Sequence, residues 1–560
     1  MSNYAYLITK KNKSLPIGFL EKFDPLNITI VHHNQWVIYF FSNAVQSCQY
    51  NLGYFKGYYI DHGKEKVGFS QFRDMNKSYL EGCFINIEQH LDKGVVILNN
   101  DVFGLMPLLY SFEKDAVIVS DSLYFIKKLR DGLGYKSTLD DHNFIARTYI
   151  NAITSHSMSS STIFNEIKYA LPGSVLDINI KAEMLVKVSH EGARNIFRLQ
   201  DLSYEEIIKK AAHQLCGSLG GIVNSGILPC NFDLTGGLDS RLVLAAVTPF
   251  FGTDKLTVGS STKHQDDFTI AKKICDSFNI TLNEKYNSEN IKIHPGAMWL
   301  ASNAGFTDTL YASNFQRKDG FRFNIGGHGA EIYKGNYGWR KVSDIGKNYE
   351  NKEIYNYLQR ELEQGLLEFG IDPDDEIGSE WHYLAFRNAI HGSRGTQVSN
   401  FYLRPLMMKF MVHNIKIEKK TNKYKANPIS DMLTFINPEL AKMDFDDKRK
   451  NITQDNIEQI YKSMGKYDFD LPFYKVESCV NVSSNGYMLE VLEMAVEDGF
   501  KDKIDYDNFG LYINNKNIPK NNLTKYIIRY LFDYIYSDKK IKKSQRDMAI
   551  SKLLSLSLID

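Results

Sequence analysis

The stretch Phe232-Asp233-Leu234-Thr235-Gly236-Gly237-Leu238-Asp239-Ser240-Arg241-Leu242-Val243-Leu244-Ala245-Ala246 constrains the chain most. It reads as a buried strand, a tight loop and a helix. Two adjacent glycines allow backbone angles and close approach that a Cβ would block. The loop amides and the helix N-terminus would point at one place, which suits a phosphate. Asp239 beside a phosphate makes sense if it holds a divalent cation, because Mg²⁺ takes one or two carboxylates together with phosphate oxygens. The lysine of a GxxxxGK[ST] loop is missing, so this is not a loop of the kind that moves γ-phosphates. The plainer alternative is an ordinary Gly-Gly turn capped by Asp and Ser.

The surrounding chain has 560 residues, enough for two large domains. Lys plus Arg is 67 and Asp plus Glu is 66, a balance that argues against nucleic acid or an acidic membrane as a general partner. Apolar residues make up 43 % and aromatics 13 %, ample for large cores and too many for a disordered chain. No apolar run reaches the roughly 18 residues of a membrane helix, and the first residues lack the order of a signal peptide. Cys48, Cys83, Cys216, Cys230, Cys275 and Cys479 form no CxxC pair. They are expected to be scattered reduced thiols of a cytoplasmic protein.

The first 190 or so residues are β-rich. Ile28 to Val31, Trp36 to Phe41, Gly94 to Asn99 and Ala116 to Val119 are apolar runs of strand length. After the turn Leu171-Pro172-Gly173-Ser174, Leu176 to Ile180 alternates with period two, as a half-buried strand does. Near Asp201 the pattern changes. Ser203-Tyr204-Glu205-Glu206 has the form of a capping box, and Ile208, Ala211, Ala212 and Leu215 follow at helical spacing. The domain boundary is therefore expected between about 190 and 202. Helices dominate beyond it, and from about Lys525 aromatic-apolar helix alternates with Lys-rich turns such as Lys539-Lys540-Ile541-Lys542-Lys543, read as a solvated face.

Thr235 to Arg241 resembles the SGGLDS pyrophosphatase loop of the asparagine synthetases and their relatives, the β-lactam synthetases and lasso-peptide macrolactam cyclases. Further segments are similar in the same order. Leu256-Thr257-Val258-Gly259-Ser260 looks like the strand whose backbone reads adenine, here through Val258 and Ser260. Gln265-Asp266-Asp267 leads into a helix as the family's acidic pair does. Asn324 to Gly335, with Gly326-Gly327-His328-Gly329-Ala330-Glu331, is similar to the second phosphate loop. Asn99 to Tyr110 resembles the DRxGxxPLYY stretch of a class II glutaminase domain, and Ile167 to Gly173 its closing IxxLxPG.

The resemblance implies an N-terminal Ntn-type αββα sandwich over residues 1–195 and an α/β ATP-pyrophosphatase domain with helical additions over 196–560. It implies ATP and Mg²⁺, with nucleotide held by Leu234, Thr235, Gly236, Gly237, Leu238, Asp239, Ser240, Val258, Ser260, Gly326 and Gly327. Asp239 and Glu331 would hold the metal, Glu331 standing where the family has aspartate. His328 fills the family's variable catalytic position. An imidazole there could take a proton from the attacking amine, or it could simply hydrogen-bond its own loop. A late lysine that neutralises pyrophosphate would be Lys448 or Lys450, and a plain surface cluster is the alternative. The ExRxPFLD stretch falls on Phe401 to Met408 without its glutamate. Residue 2 is Ser where the family's nucleophilic cysteine would stand, which implies a silent glutaminase half.

The expected activity is amide formation through an acyl-adenylate, with AMP and pyrophosphate as products. The acyl substrate would be a carboxylate-bearing molecule, a peptide first. Macrolactam or lactam closure, as in lasso peptides with a leader-peptide protease as partner, leads the readings. An ammonia-using ligase that amidates a metabolite or sugar acid is the alternative enzyme, and a scaffold with a relic fold the alternative outside enzymes.

Overall fold

The computed structural model describes residues 3–42, 47–50, 53–61, 80–148, 153–181, 183–189, 202–262, 264–284, 295–304, 307–308, 322–333, 335, 337–396, 400–403, 405–406, 427–479, 490–498, 522–537 and 541–559. Among the described residues the fold is mixed α/β with three sheets. Its strands are β1 (Tyr4–Lys10), β2 (Ile28–His33), β3 (Trp36–Ser42), β4 (Ser47–Tyr50), β5 (Gly53–Asp61), β6 (Glu81–His90), β7 (Val95–Asn100), β8 (Leu109–Glu113), β9 (Ala116–Ser120), β10 (Lys168–Tyr169), β11 (Val175–Asn179), β12 (Leu185–Ser189), β13 (Cys230–Asp233), β14 (Leu256–Ser260), β15 (Leu282–Glu284), β16 (Arg322–Ile325), β17 (Asn400–Tyr402) and β18 (Lys475–Ser478).

Two antiparallel sheets occupy the N-terminal region, in the orders β10-β8-β9-β1-β3-β2 and β12-β11-β7-β6-β5-β18, with β4 also on β5. The apolar runs singled out in the sequence lie in β2, β3, β7 and β9, and β3 and β9 are buried along their whole length. Phe40 of β3 stacks on Tyr54 of β5 with ring centroids 4.4 Å apart. Gln89 Nε2 of β6 donates to Tyr6 Oη of β1 at 2.8 Å. The helix Leu123–Gly132 covers β8 and β9 on the far side of the first sheet. In β11, Leu176 and Ile178 are buried while Asp177 is exposed, as period two requires.

The third sheet is parallel, in the order β15-β14-β13-β16-β17. The helix Tyr204–Ser225 that precedes it opens with the expected capping box, Ser203 and Glu206 each bonding the other's amide. The boundary expected between 190 and 202 lies, up to residue 201, outside the described residues.

Two features run across that boundary. β18, from the C-terminal part of the chain, completes the second N-terminal sheet by pairing antiparallel with β5. The helix Tyr204–Ser225 accommodates it by lacking side chains there. A Cβ on Gly220 would lie 2.2 Å from the Phe473 ring, and one on Gly221 the same distance from the Tyr474 carbonyl oxygen. Mid-helix glycines cost about 1 kcal/mol each relative to alanine, and close packing is what they make possible. The second feature corrects the expectation of six reduced thiols. Cys48 of β4 and Cys479, next to β18, form a disulfide with Cα atoms 5.5 Å apart. Local spacing could not foretell a pair 431 residues apart. Cys83, Cys216, Cys230 and Cys275 are free and buried. Among the described residues no helix is long and apolar enough to cross a membrane.

Candidate functional site

The parallel sheet delivers two loops to its C-terminal edge. After β13, Leu234 N donates to the Gly259 carbonyl at 2.9 Å and carries the strand one residue further. The loop then closes on the Ser240 hydroxyl. Thr235 N donates to Ser240 Oγ at 3.2 Å, and the Thr235 and Ser240 hydroxyls are 2.8 Å apart. Gly237 N donates to Thr235 Oγ1 at 3.3 Å. Threonine at position 235 thus keeps a hydroxyl in use within the loop. Gly237 is the N-cap of the helix Leu238–Ala246 and has no side chain with which to cap it, and Asp239 stands in the first turn. The first amides of a helix lack internal partners.

Gly236 is held from two sides. Its N–H donates to Asp267 Oδ1 at 2.8 Å and its carbonyl accepts from Asp446 N at 3.2 Å. A Cβ there would meet Asp446 Cβ at 2.7 Å and Asp267 Oδ1 at 3.0 Å. The second loop, after β16, rests directly on the first. A Cβ on Gly327 would lie 2.3 Å from Ser240 N and 2.8 Å from Asp239 Cβ. Gly326, Gly327, Asp239 and Ser240 are therefore brought together.

The other expected residues divide. The Glu331 carboxylate accepts from Gly329 N at 2.8 Å, so Oε2 bonds its own loop. Gly329 has φ +110°, a conformation open to glycine. The His328 ring lies beside Gly326, whose Cβ position is 3.0 Å from Nε2, and the His328 carbonyl accepts from Leu406 N at 3.0 Å. The Val258 carbonyl accepts from Asn283 Nδ2 at 3.2 Å. Ser260 Oγ is buried with no hydrogen-bond partner among the described residues. Lys450 Nζ pairs with Asp446 Oδ2 at 2.9 Å. Lys448 is exposed in the short turn Lys448–Lys450. Beside it, the Arg449 guanidinium grips Asp447 and holds that carboxyl down at about 2.

The donors at this edge are of the kind that bind phosphate oxygens. Uncapped helix amides and a cradle that a Cβ would fill meet at one edge of the sheet. Among the described residues no group of three or more His, Cys, Asp or Glu is gathered for a metal. The donors expected for Mg²⁺ are two carboxylates, which is the number such an ion takes when phosphates complete its shell. Ser2, Arg404, Met407 and Met408 lie outside the described residues.

In the N-terminal region, Asp101 of the stretch Asn99 to Tyr110 accepts amides from Phe103, Leu105 and Met106 at 2.8–3.2 Å. It shapes a turn, and burial pushes its carboxyl up to about 7. A cavity of about 50 Å³ lies between the N-terminal sheet and the second loop's neighbours, lined by Tyr58, Phe103, Leu105, Ser218, Leu403 and Pro405.

Arg241 and Asp267 fall inside motifs the sequence offered, the loop itself and the acidic pair, but the bond of Asp267 to Gly236 N and the hold of Arg241 on residues 440–444 were not legible there. Asp446, which bonds the Gly236 carbonyl, comes some 200 residues later, and no local signal marked that contact. No protein-family model and no curated protein matches the chain.

Proposed function

We propose that the protein is an ATP- and Mg²⁺-dependent ligase that forms an amide bond through an acyl-adenylate, releasing AMP and pyrophosphate. In this reading the N-terminal layers are an Ntn-type αββα module and the parallel sheet is an ATP-pyrophosphatase domain. The observation that carries it is the contact of two glycine loops, Gly327 against the Ser240 amide, at the C-terminal edge of a parallel sheet. Ligands in open α/β sheets bind outside the carboxyl ends of the strands.

The chain's own groups take these roles. Amides of Gly236 to Ser240 and of Gly327 receive phosphate oxygens, and Asp267 then exchanges its bond to Gly236 N for one to solvent. Asp239 and Glu331 would hold Mg²⁺, which supplies charge neutralisation on the phosphates. Glu331 must turn from Gly329 N to do so. Backbone groups of Val258 and Ser260 face the base. Lys450 offsets charge on the departing pyrophosphate. His328 accepts a proton as the amine attacks. The acyl substrate is a peptide carboxylate and the amine comes from the same molecule, which makes the product a macrolactam or lactam. A protease that trims a leader peptide is the expected partner.

One observation favours a second reading, ammonia as the amine. The cavity at Leu403 and Pro405 neighbours Leu406, whose amide bonds the His328 carbonyl, and so offers room for a small free amine near that loop. The test is ATP–pyrophosphate exchange across a panel of peptide and metabolite carboxylates, with products identified. AMP and pyrophosphate support the proposal, and ADP with phosphate refutes it. A cyclised product separates the first reading from an ammonia-dependent amide.

A further inference from the structure

We propose that Arg241 is a positioning residue that clamps the segment Met443–Lys450 onto the Thr235–Ser240 loop and thereby selects Lys450 as the lysine that meets the phosphates. The inference rests on the ATP-binding reading above.

The Arg241 side chain is fully buried. Its two terminal nitrogens donate to one short piece of backbone, while Nε is buried with no partner among the described residues. Nη1 donates to the Met443 carbonyl at 2.6 Å and to Leu440 at 3.4 Å, and Nη2 donates to the Asp444 carbonyl at 2.6 Å. Leu440 belongs to the helix Pro438–Lys442, so the cation sits at that helix's C-terminal end, where positive charge is favoured. The plane also stacks on Phe445, with 3.6 Å from Cζ to the ring centroid, and Phe445 is itself buried. A planar fork that stacks and donates twice is something lysine cannot reproduce.

What this clamp holds is the approach to the phosphate loop. One residue past Phe445, Asp446 N bonds the Gly236 carbonyl and Asp446 Cβ packs on Gly236. The Asp446 carboxylate then takes Lys450 Nζ at 2.9 Å on both oxygens. The chain of contacts runs from Arg241 to residues 443–445, to Asp446 on Gly236, and to Lys450. Lys448 is not in that chain. In the absence of phosphate, Asp446 supplies the counter-charge that keeps Lys450 beside the loop.

A double-mutant cycle tests this, with MgATP as the probe and calorimetry as the readout. Lys450→Met is expected to weaken MgATP about 10- to 100-fold, and Arg241→Lys about tenfold. Because Arg241 acts through Lys450, the double variant should bind within about twofold of Lys450→Met. Multiplying losses would overturn the proposal, as would Lys448→Met proving the more damaging lysine change. Hydrogen–deuterium exchange gives a readout without ligand. Amides of residues 443–451, Asp446 above all, should exchange at least about tenfold faster in Arg241→Lys and stay unchanged in Lys450→Met. Unchanged exchange in Arg241→Lys refutes the clamp. Should Arg241→Lys fail to fold, Phe445→Leu removes the stacked ring and should show the same pattern at about threefold. If the wild-type chain binds no MgATP, the nucleotide reading fails, while the exchange result still decides whether Arg241 holds the segment.

Discussion

Adding one methyl group at Gly327 should separate the two loops. An alanine Cβ there would lie 2.3 Å from Ser240 N, 2.6 Å from the Asp239 carbonyl carbon and 2.8 Å from Asp239 Cβ. Ordinary contact begins at 3.4 Å, so the loops must part by about 1.1 Å (3.4 − 2.3). The neighbours are backbone at a helix N-terminus, which cannot rotate away as a side chain can. Overpacking of this kind costs about 1–3 kcal/mol. Placed on the nucleotide cradle, that is about 5- to 150-fold in affinity. The control is Gly18→Ala in the helix Ile17–Leu20, where an added Cβ would meet nothing within 4 Å, and its MgATP affinity should stay within about threefold of wild type. Calorimetric titration of MgATP into both variants, alongside urea melts, gives the comparison. Gly327→Ala binding as tightly as wild type would refute the argument that the two loops form one cradle.

Three further outcomes are expected. Asp239→Asn and Glu331→Gln should each lose Mg²⁺-dependent ATP affinity or turnover by at least about tenfold, with unchanged melting, as removal of a charged ligand does; wild-type metal response in both removes the carboxylate pair. With a turnover substrate in hand, His328→Ala should slow amide formation by about 10²–10⁴-fold while pyrophosphate exchange survives; parallel loss of both assigns His328 to shaping the loop. Burial lifts the Glu361 carboxyl from 4.5 to about 7. Its folded state therefore keeps a proton that the unfolded chain has shed, and stability falls as pH rises from about 4.5 to about 7. Glu361→Gln, which can still accept from Ser159 Oγ, should be more stable than wild type by about 1–3 kcal/mol at pH 8 and equal to it near pH 4.5; equal denaturation midpoints at both pH values would contradict that.

What the sequence revealed and what it hid follow one physical line. Strand runs such as Trp36 to Phe41, the Ser203–Glu206 capping box and the Gly236-Gly237 loop are encoded within a few residues, so composition and period expose them. Gly326 and Gly327 were legible as a loop. That Gly327 lies on the Ser240 amide is a fact of sheet order, because β16 is the neighbour of β13. The pairing of Ser478 with Tyr58, the Cys48–Cys479 link and the hold of Arg241 on Asp444 all join distant segments. No local periodicity records which distant partner a glycine face or a buried cation will meet. The glycines of Tyr204–Ser225 did carry a trace of it. Three small residues on one stretch of helix mark close approach, although the sequence does not name Phe473 and Tyr474 as what approaches.

These long-range joins bear on how the two halves work. Beyond β18, the helix Lys543–Ser555 docks Lys552 on Asp308 at 3.3 Å and on the Thr154 carbonyl at 3.2 Å, and Arg147 takes the other Asp308 oxygen at 2.8 Å. All three charged side chains are nearly fully buried, and burial brings Lys552 down to about 8. Removing one partner from such a group is costly, because an uncompensated charge is left behind. Arg147 and Thr154 belong to the N-terminal region, Asp308 to the segment before β16, and Lys552 to the chain's end. The strand that leads into the second glycine loop meets the N-terminal sheet directly, where the Tyr58 ring of β5 lies edge-on to Phe323 of β16 with centroids 5.2 Å apart. On the ligase reading, the N-terminal sheet would serve the site by packing on β16, the strand that runs into Gly327 and His328.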